Sequence, residues 1–121
     1  MQTASGKTNP RLTNLIILLK ESARSNEAHI WREIALRLEA PSKNYAEVNI
    51  GKINRYAMKG ETILVPGKVL GTGILTQPVQ IAALNFSKSA VGKIEKAKGA
   101  CMTIEELLSE NPKGNRIRIL R

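Results

Sequence analysis

The sequence predicts an α/β protein: a helical part over about residues 9–59 that opens with a helical hairpin, then a mixed α/β part over about residues 60–121. Three observations predict it. Apolar residues recur at three- and four-residue spacing through the first part, the period of a helix with one buried face. From about residue 60 the texture changes to β-branched residues and glycines. Residues 79–86 then form a near-continuous apolar run of strand length, as expected of a strand buried on both faces, and lead straight into a helical segment. At 121 residues the chain fits one domain of ordinary size.

Taken in order, residues 1–8 are small, polar and basic without apolar periodicity, and read as a flexible basic arm. Asn9 and Pro10 are an N-cap and first-turn pair, and Leu12, Leu15, Ile16 and Leu19 mark a helix through about Ala23. Asn26 is the expected cap of a second helix, with Ile30, Trp31, Ile34, Ala35 and Leu38 on one stripe and Pro41 marking its end. Trp31 on that stripe belongs to the core. Asn49 caps a short third helix carrying Ile50, Ile53 and Tyr56. Residues 62–65 and 68–70 flank Pro66-Gly67, a turn pair, and so suggest a small β-hairpin or corner. The apolar strand at 79–86 leads through Ser87-Lys88-Ser89 into a helix to about Lys98. A short buried strand follows near residues 100–102, and Thr103 with Glu106 forms a capping box for a last helix ending before Pro112.

Charge bounds the function. Nineteen Lys and Arg stand against ten acids, all of them Glu, for a net charge of +9 and an isoelectric point near 10.1. Such an excess favours a polyanionic partner. The longest apolar stretch, Leu15 to Leu19, is far below the roughly 20 residues of a membrane span, so a cytoplasmic protein with no membrane partner is expected. A single Cys101, a single His29 and no Asp leave almost no material for a zinc site or a Cys-His catalytic pair. Cys101 reads as buried and inert, and no catalytic residue, metal or cofactor is expected.

Helix starts carry the most telling pattern, because a base there opposes the helix dipole by a few tenths to about 1 kcal/mol unless an anion is bound. Acids stand at Asn26-Glu27 and at Thr103-Ile104-Glu105-Glu106, whereas bases stand at Asn9-Pro10-Arg11, Asn49-Ile50-Gly51-Lys52 and Ser87-Lys88-Ser89. The last is a candidate phosphate cradle of two hydroxyls, end amides and a lysine. The alternative is Ser87 as a plain cap beside a solvated Lys88. Lys93, near the end of the same helix, suits the dipole with or without a ligand. Gly71-Thr72-Gly73 lacks the spacing of a nucleotide-binding loop, and its glycines fit a close approach of the main chain to a bulky neighbour, or simply a tight turn. In the tail, an extended 113–121 would set Arg116 and Arg118 roughly 6.5–7 Å apart on one face, a spacing that suits successive phosphates. The alternative is an edge strand with solvated arginines. The four aromatics Trp31, Tyr45, Tyr56 and Phe86 form no alternating surface series for stacking bases, so backbone and shape are the expected targets.

Two runs, Val65-Pro66-Gly67-Lys68-Val69-Leu70-Gly71-Thr72-Gly73 and Ala82-Ala83-Leu84-Asn85-Phe86-Ser87-Lys88-Ser89-Ala90, resemble the archaeal and eukaryotic large-subunit ribosomal protein family L-eighteen-e, related to bacterial L-fifteen. The likeness extends from Asn9 to Arg121. It implies an irregular core of strand-strand-helix layers of the L-fifteen and L-eighteen-e type behind the N-terminal helical hairpin. It also implies a structural, non-enzymatic role in the large ribosomal subunit, archaeal in the chain's compact size, with large-subunit ribosomal RNA and neighbouring ribosomal proteins as partners and no cofactor or small-molecule substrate. Lys68, Gly71, Gly73, Ser87, Lys88 and Ser89 carry over with the motifs. With them, Lys7, Arg11, Lys52, Arg55, Lys93, Lys113, Arg116, Arg118 and Arg121 complete the expected RNA-binding set. A free-standing basic RNA- or DNA-binding regulator is the alternative, disfavoured because the bases are scattered over helix starts, loops and tail.

Overall fold

The computed structural model describes residues 9–121, so the arm expected over residues 1–8, with Lys7, lies outside the described residues. The elements are α1 (Pro10–Ser25), α2 (His29–Glu39), a 3-10 turn (Ser42–Asn44), β1 (Ala46–Asn49), α3 (Ile50–Tyr56), β2 (Thr62–Leu70), β3 (Gln80–Phe86), α4 (Lys88–Lys96), β4 (Ala100–Thr103), α5 (Ile104–Glu110) and β5 (Ile117–Ile119). The five strands form one sheet in the order β1-β2-β3-β4. β5 lies beside the first half of β2, on the edge that β1 occupies along its second half. Every pairing is parallel.

Side chains alternate across the sheet and divide the core in two. Ile63, Val65, Val69, Ile81 and Ala83 face Ile50 and Ile53 of α3 and Ala90 and Ile94 of α4. Leu64 and Ala82 face the hairpin α1–α2 and α5, where Leu15, Leu19, Trp31, Ile34, Leu38 and Leu107 are buried. A sheet covered on both faces needs near-continuous apolar strands, and Ile81, Ala82 and Ala83 are accordingly all buried. Trp31 is fully buried, and its Nε1 donates to the Pro112 carbonyl at 2.7 Å, fastening the hairpin to the loop after α5.

Pro66-Gly67 forms no hairpin. Residues 62–70 are one strand, in which the pairing to β3 slips by one residue between Val65 and Lys68. The proline, which has no N–H to give, sits at this bulge. A Cβ on Gly67 would lie 2.0 Å from the Ala46 carbonyl oxygen, so the glycine admits β1 to the ladder. That strand falls in the part expected to be helical. Only Val48 of its four residues is buried, which leaves no alternating pattern to read.

Asn26 closes α1 instead of opening α2: its amide and its Nδ2 both donate to the Ser22 carbonyl. Glu27 follows in the left-handed conformation (φ 51°), and Ala28 caps α2 without a side-chain bond. The acidic helix start expected at Asn26-Glu27 is therefore absent. The strand near residues 100–102 is the sheet edge β4, and Cys101 in it is half-buried, not buried.

Candidate nucleic-acid interface

Because all strands are parallel, their carboxyl ends share one end of the molecule, the end where parallel α/β sheets bind ligands. β1 passes into α3, β2 into the glycine turn 71–73, β3 into α4 and β4 into α5. At α5 the demand for an anion is met internally. Thr103 Oγ1 accepts from the Glu106 amide at 3.0 Å, and the Glu106 carboxylate accepts from the Thr103 amide at 2.7 Å. At α4 no acid stands in the first turn. Ser87 Oγ accepts from the Ala90 amide at 3.2 Å and is engaged as a cap, while the exposed Lys88 ammonium has no acceptor among the described residues. The first two amides of α4, as at any helix start, have no partner within the helix.

The glycine turn is built against this helix start. A Cβ on Gly71 would fall 1.9 Å from Ser89 Oγ, and one on Gly73 (φ 102°) would fall 2.5 Å from the Gly51 amide nitrogen. The Gly51 amide donates to the Thr72 carbonyl at 3.0 Å, so the turn itself serves the start of α3. Lys93 reaches back along α4 and donates to the Gly71 and Gly73 carbonyls, each at 2.6 Å. Gly71 thus admits the Ser89 side chain and Gly73 the Gly51 main chain, and Lys93, though exposed, is held by two main-chain carbonyls.

Other expected residues are divided among roles. Arg11 forks onto Glu105 (2.8 and 3.1 Å) and donates to the Leu84 carbonyl. The guanidinium hydrogen bond holds the Glu105 carboxyl below its ordinary range, against the opposing effect of partial burial. Lys52 donates to the Arg121 carbonyl at 2.6 Å. Arg55 lies 5.9 Å from the centre of the Tyr56 ring, within cation–π reach. Lys68 is exposed on the hairpin face of the carboxyl end, lining a cleft of about 280 Å³ with Lys43, Glu47 and Asn85.

The tail does not present its arginines as one extended row. Arg116 adopts φ 57° and donates to the Gly60 carbonyl, whereas Arg118 pairs with Glu61 at 2.8 Å. Both belong to the amino end of β2, away from Lys88, and Lys113 is exposed in the loop before them. Sequence reasoning missed Lys43, in a loop without local signature, and the exposed Ile74 after the glycine turn.

Among the described residues no cluster of three or more His, Cys, Asp or Glu side chains could hold a metal, and no helix is long and apolar enough to cross a membrane. Burial, and secondarily Glu95, pushes the Cys101 thiol up, away from the reactive thiolate form.

Comparison with known proteins decides the family. The model for the family described as ribosomal protein 60S L18 and 50S L18e matches residues 1–121. The chain belongs to this family. It is 73% identical over 115 residues, covering 95% of both chains, to the large ribosomal subunit protein eL18 of Methanoregula boonei. To the protein of the same name from Methanospirillum hungatei it is 60% identical over 121 residues and the whole of both chains, and to that of Archaeoglobus fulgidus it is 55% identical over 115 residues. The L18e assignment agrees with the resemblance carried by the glycine-turn and Ser87-Lys88-Ser89 motifs.

Proposed function

We propose that this chain is a non-enzymatic structural constituent of the large ribosomal subunit, holding large-subunit ribosomal RNA by its phosphate backbone at the carboxyl end of the sheet. Family membership supports the subunit. The start of α4 carries the choice of surface: it has no acid in its first turn and ends in an unpaired Lys88 beside a glycine turn, while the neighbouring α5 caps itself with Glu106. Lys88 and Lys68 are the phosphate contacts on the two faces of that end, with Ser89 and the glycine turn shaping the surface between them. Arg11, Lys52, Lys93, Arg116 and Arg118 contribute chiefly by fastening elements together, since each has a protein acceptor. Neighbouring ribosomal proteins complete the environment. No one helix gathers the bases as the recognition helix of a free-standing regulator would.

Two measurements test this. Mass spectrometry of large subunits washed at high salt is expected to find about one copy per particle, and absence would overturn the ribosomal reading. For the surface, binding to protein-free large-subunit RNA is followed against salt. Each lost phosphate contact lowers the slope of log affinity against log salt by about one, so Lys68→Gln with Lys88→Gln is expected to lower it by about two. An unchanged slope would remove these lysines from the interface.

A further inference from the structure

The loop after the glycine turn holds one large apolar side chain out to solvent. Ile74 is 72% exposed, more than any other large hydrophobic among the described residues. Nothing about its surroundings is loose. On one side Lys93 grips the Gly71 and Gly73 carbonyls and the Thr72 carbonyl accepts from the Gly51 amide. On the other, Leu75 is buried, the Thr76 amide and hydroxyl both donate to Asn54 Oδ1 at 3.0 and 3.2 Å, and Gln77 Nε2 donates to the Asn54 carbonyl at 3.1 Å. Gly73, at φ 102° and without room for a Cβ, sets the direction in which the next residue leaves. A chain fixed on both sides of Ile74 loses little further entropy when that residue is covered, which favours its use as a preformed contact.

The rim indicates what covers it. Ile74 shares a concavity of about 300 Å³ with Lys93, Lys96, Leu75 and Ala97, and none of the residues lining it is acidic. With Lys93 turned to the Gly71 and Gly73 carbonyls, Lys96 is the rim cation left to meet a partner, and an apolar tip beside it fits a nucleic acid, where an apolar side chain packs on a base and a flanking ammonium meets a phosphate. It fits poorly a protein partner, whose apolar contact would need an acid beside it to satisfy Lys96. We propose that Ile74 is a preformed apolar knuckle that packs against an unstacked base of the bound ribosomal RNA, with Lys96 on an adjacent phosphate. The inference rests on the proposed ribosomal RNA reading and adds to it a contact that reads a base where the lysines read backbone.

The test compares the full-length protein with its Ile74→Ser variant in binding to protein-free large-subunit RNA over a range of salt. The knuckle predicts an affinity loss of about tenfold with the salt slope unchanged, since no phosphate contact is removed. The exposed position predicts an unchanged unfolding midpoint. Equal affinity of the two proteins overturns the knuckle while leaving the ribosomal RNA reading in place, whereas failure of the unaltered protein to bind overturns both. A second measurement fixes the partner: an Ile74→Cys, Cys101→Ser protein carrying a short photo-crosslinker at position 74 is assembled into large subunits and irradiated. Crosslinks to RNA support the proposal, and crosslinks confined to a neighbouring protein overturn it.

Discussion

Arg11 and Glu105 are ninety-four positions apart in sequence yet form a forked ion pair joining the first turn of α1 to the first turn of α5. The sequence places a base against the dipole at one helix start and an acid with the dipole at another, and the fold sets the two side chains against each other. Because the guanidinium holds the Glu105 carboxyl below its ordinary value, the pair stabilises the fold above the unfolded carboxyl range, and that contribution fades as pH falls through the folded value. Both side chains remain partly exposed, at 42% and 31%, so the contribution at neutral pH is only about 0.5 kcal/mol. Arg11→Gln is expected to lower stability by about that amount near pH 7 and to converge with the unaltered protein well below about pH 4.3, the ordinary glutamate value. Urea unfolding at several pH values checks it, and a difference that persists in acid would mean that Arg11 acts through its bond to the Leu84 carbonyl instead. Lys93 teaches the same lesson. As a base near a helix C-terminus it invites an RNA contact, and only the three-dimensional position of Gly71 and Gly73 reveals an internal clamp.

Among the elements, α5 starts on a reciprocal cap that its own local sequence supplies. Thr103 and Glu106 satisfy each other's amides, and the helix buries Ile104, Leu107 and Leu108. Thr103→Ala removes the cap acceptor and is expected to cost about 1 kcal/mol, read as a lower urea midpoint without a change in slope, while Thr103→Ser restores most of it. Such local devices explain what the sequence makes legible. Asn9-Pro10, Ser87 and the capping box each announce a helix start within a few residues, and the apolar run at 80–86 announces a central strand. Elements defined by distant partners stay hidden. β1 exists because Gly67 lets it pair with β2, and the Pro66-Gly67 pair that would turn an isolated hairpin becomes a bulge once parallel neighbours claim both sides of the strand. Asn26 suits either helix end, and the short connection between α1 and α2 is what assigns it to the first. The candidate surface divides likewise: Ser87-Lys88-Ser89 and the glycine turn are readable as motifs, whereas the internal roles of Lys52, Arg116 and Arg118 depend on contacts across 56 or more residues.

At the scale of the whole molecule, the net charge of +9 is carried with only four ion pairs among the described residues, each with at least one partner more than a third exposed. Pairs of that kind contribute roughly 0–1 kcal/mol apiece, so screening them costs little. The repulsion among the remaining bases is collective and long-ranged. At about 0.01 M salt the screening length is about 30 Å and spans the molecule, and at about 0.15 M it is about 8 Å and reaches only near neighbours. Added sodium chloride should therefore stabilise the isolated protein, raising its unfolding midpoint by about 2–5 °C between those concentrations, a change of order 1 kcal/mol for a chain of this size. A midpoint that falls instead would mean that the ion pairs, Arg11–Glu105 and Arg118–Glu61 foremost, outweigh the repulsion. If it rises, phosphates should do the same work more strongly, because they neutralise the bases at fixed positions as well as screening them. Large-subunit RNA at low salt is then expected to raise the midpoint further than salt alone, and the Lys68→Gln, Lys88→Gln protein should gain less from the RNA while starting from a higher midpoint without it.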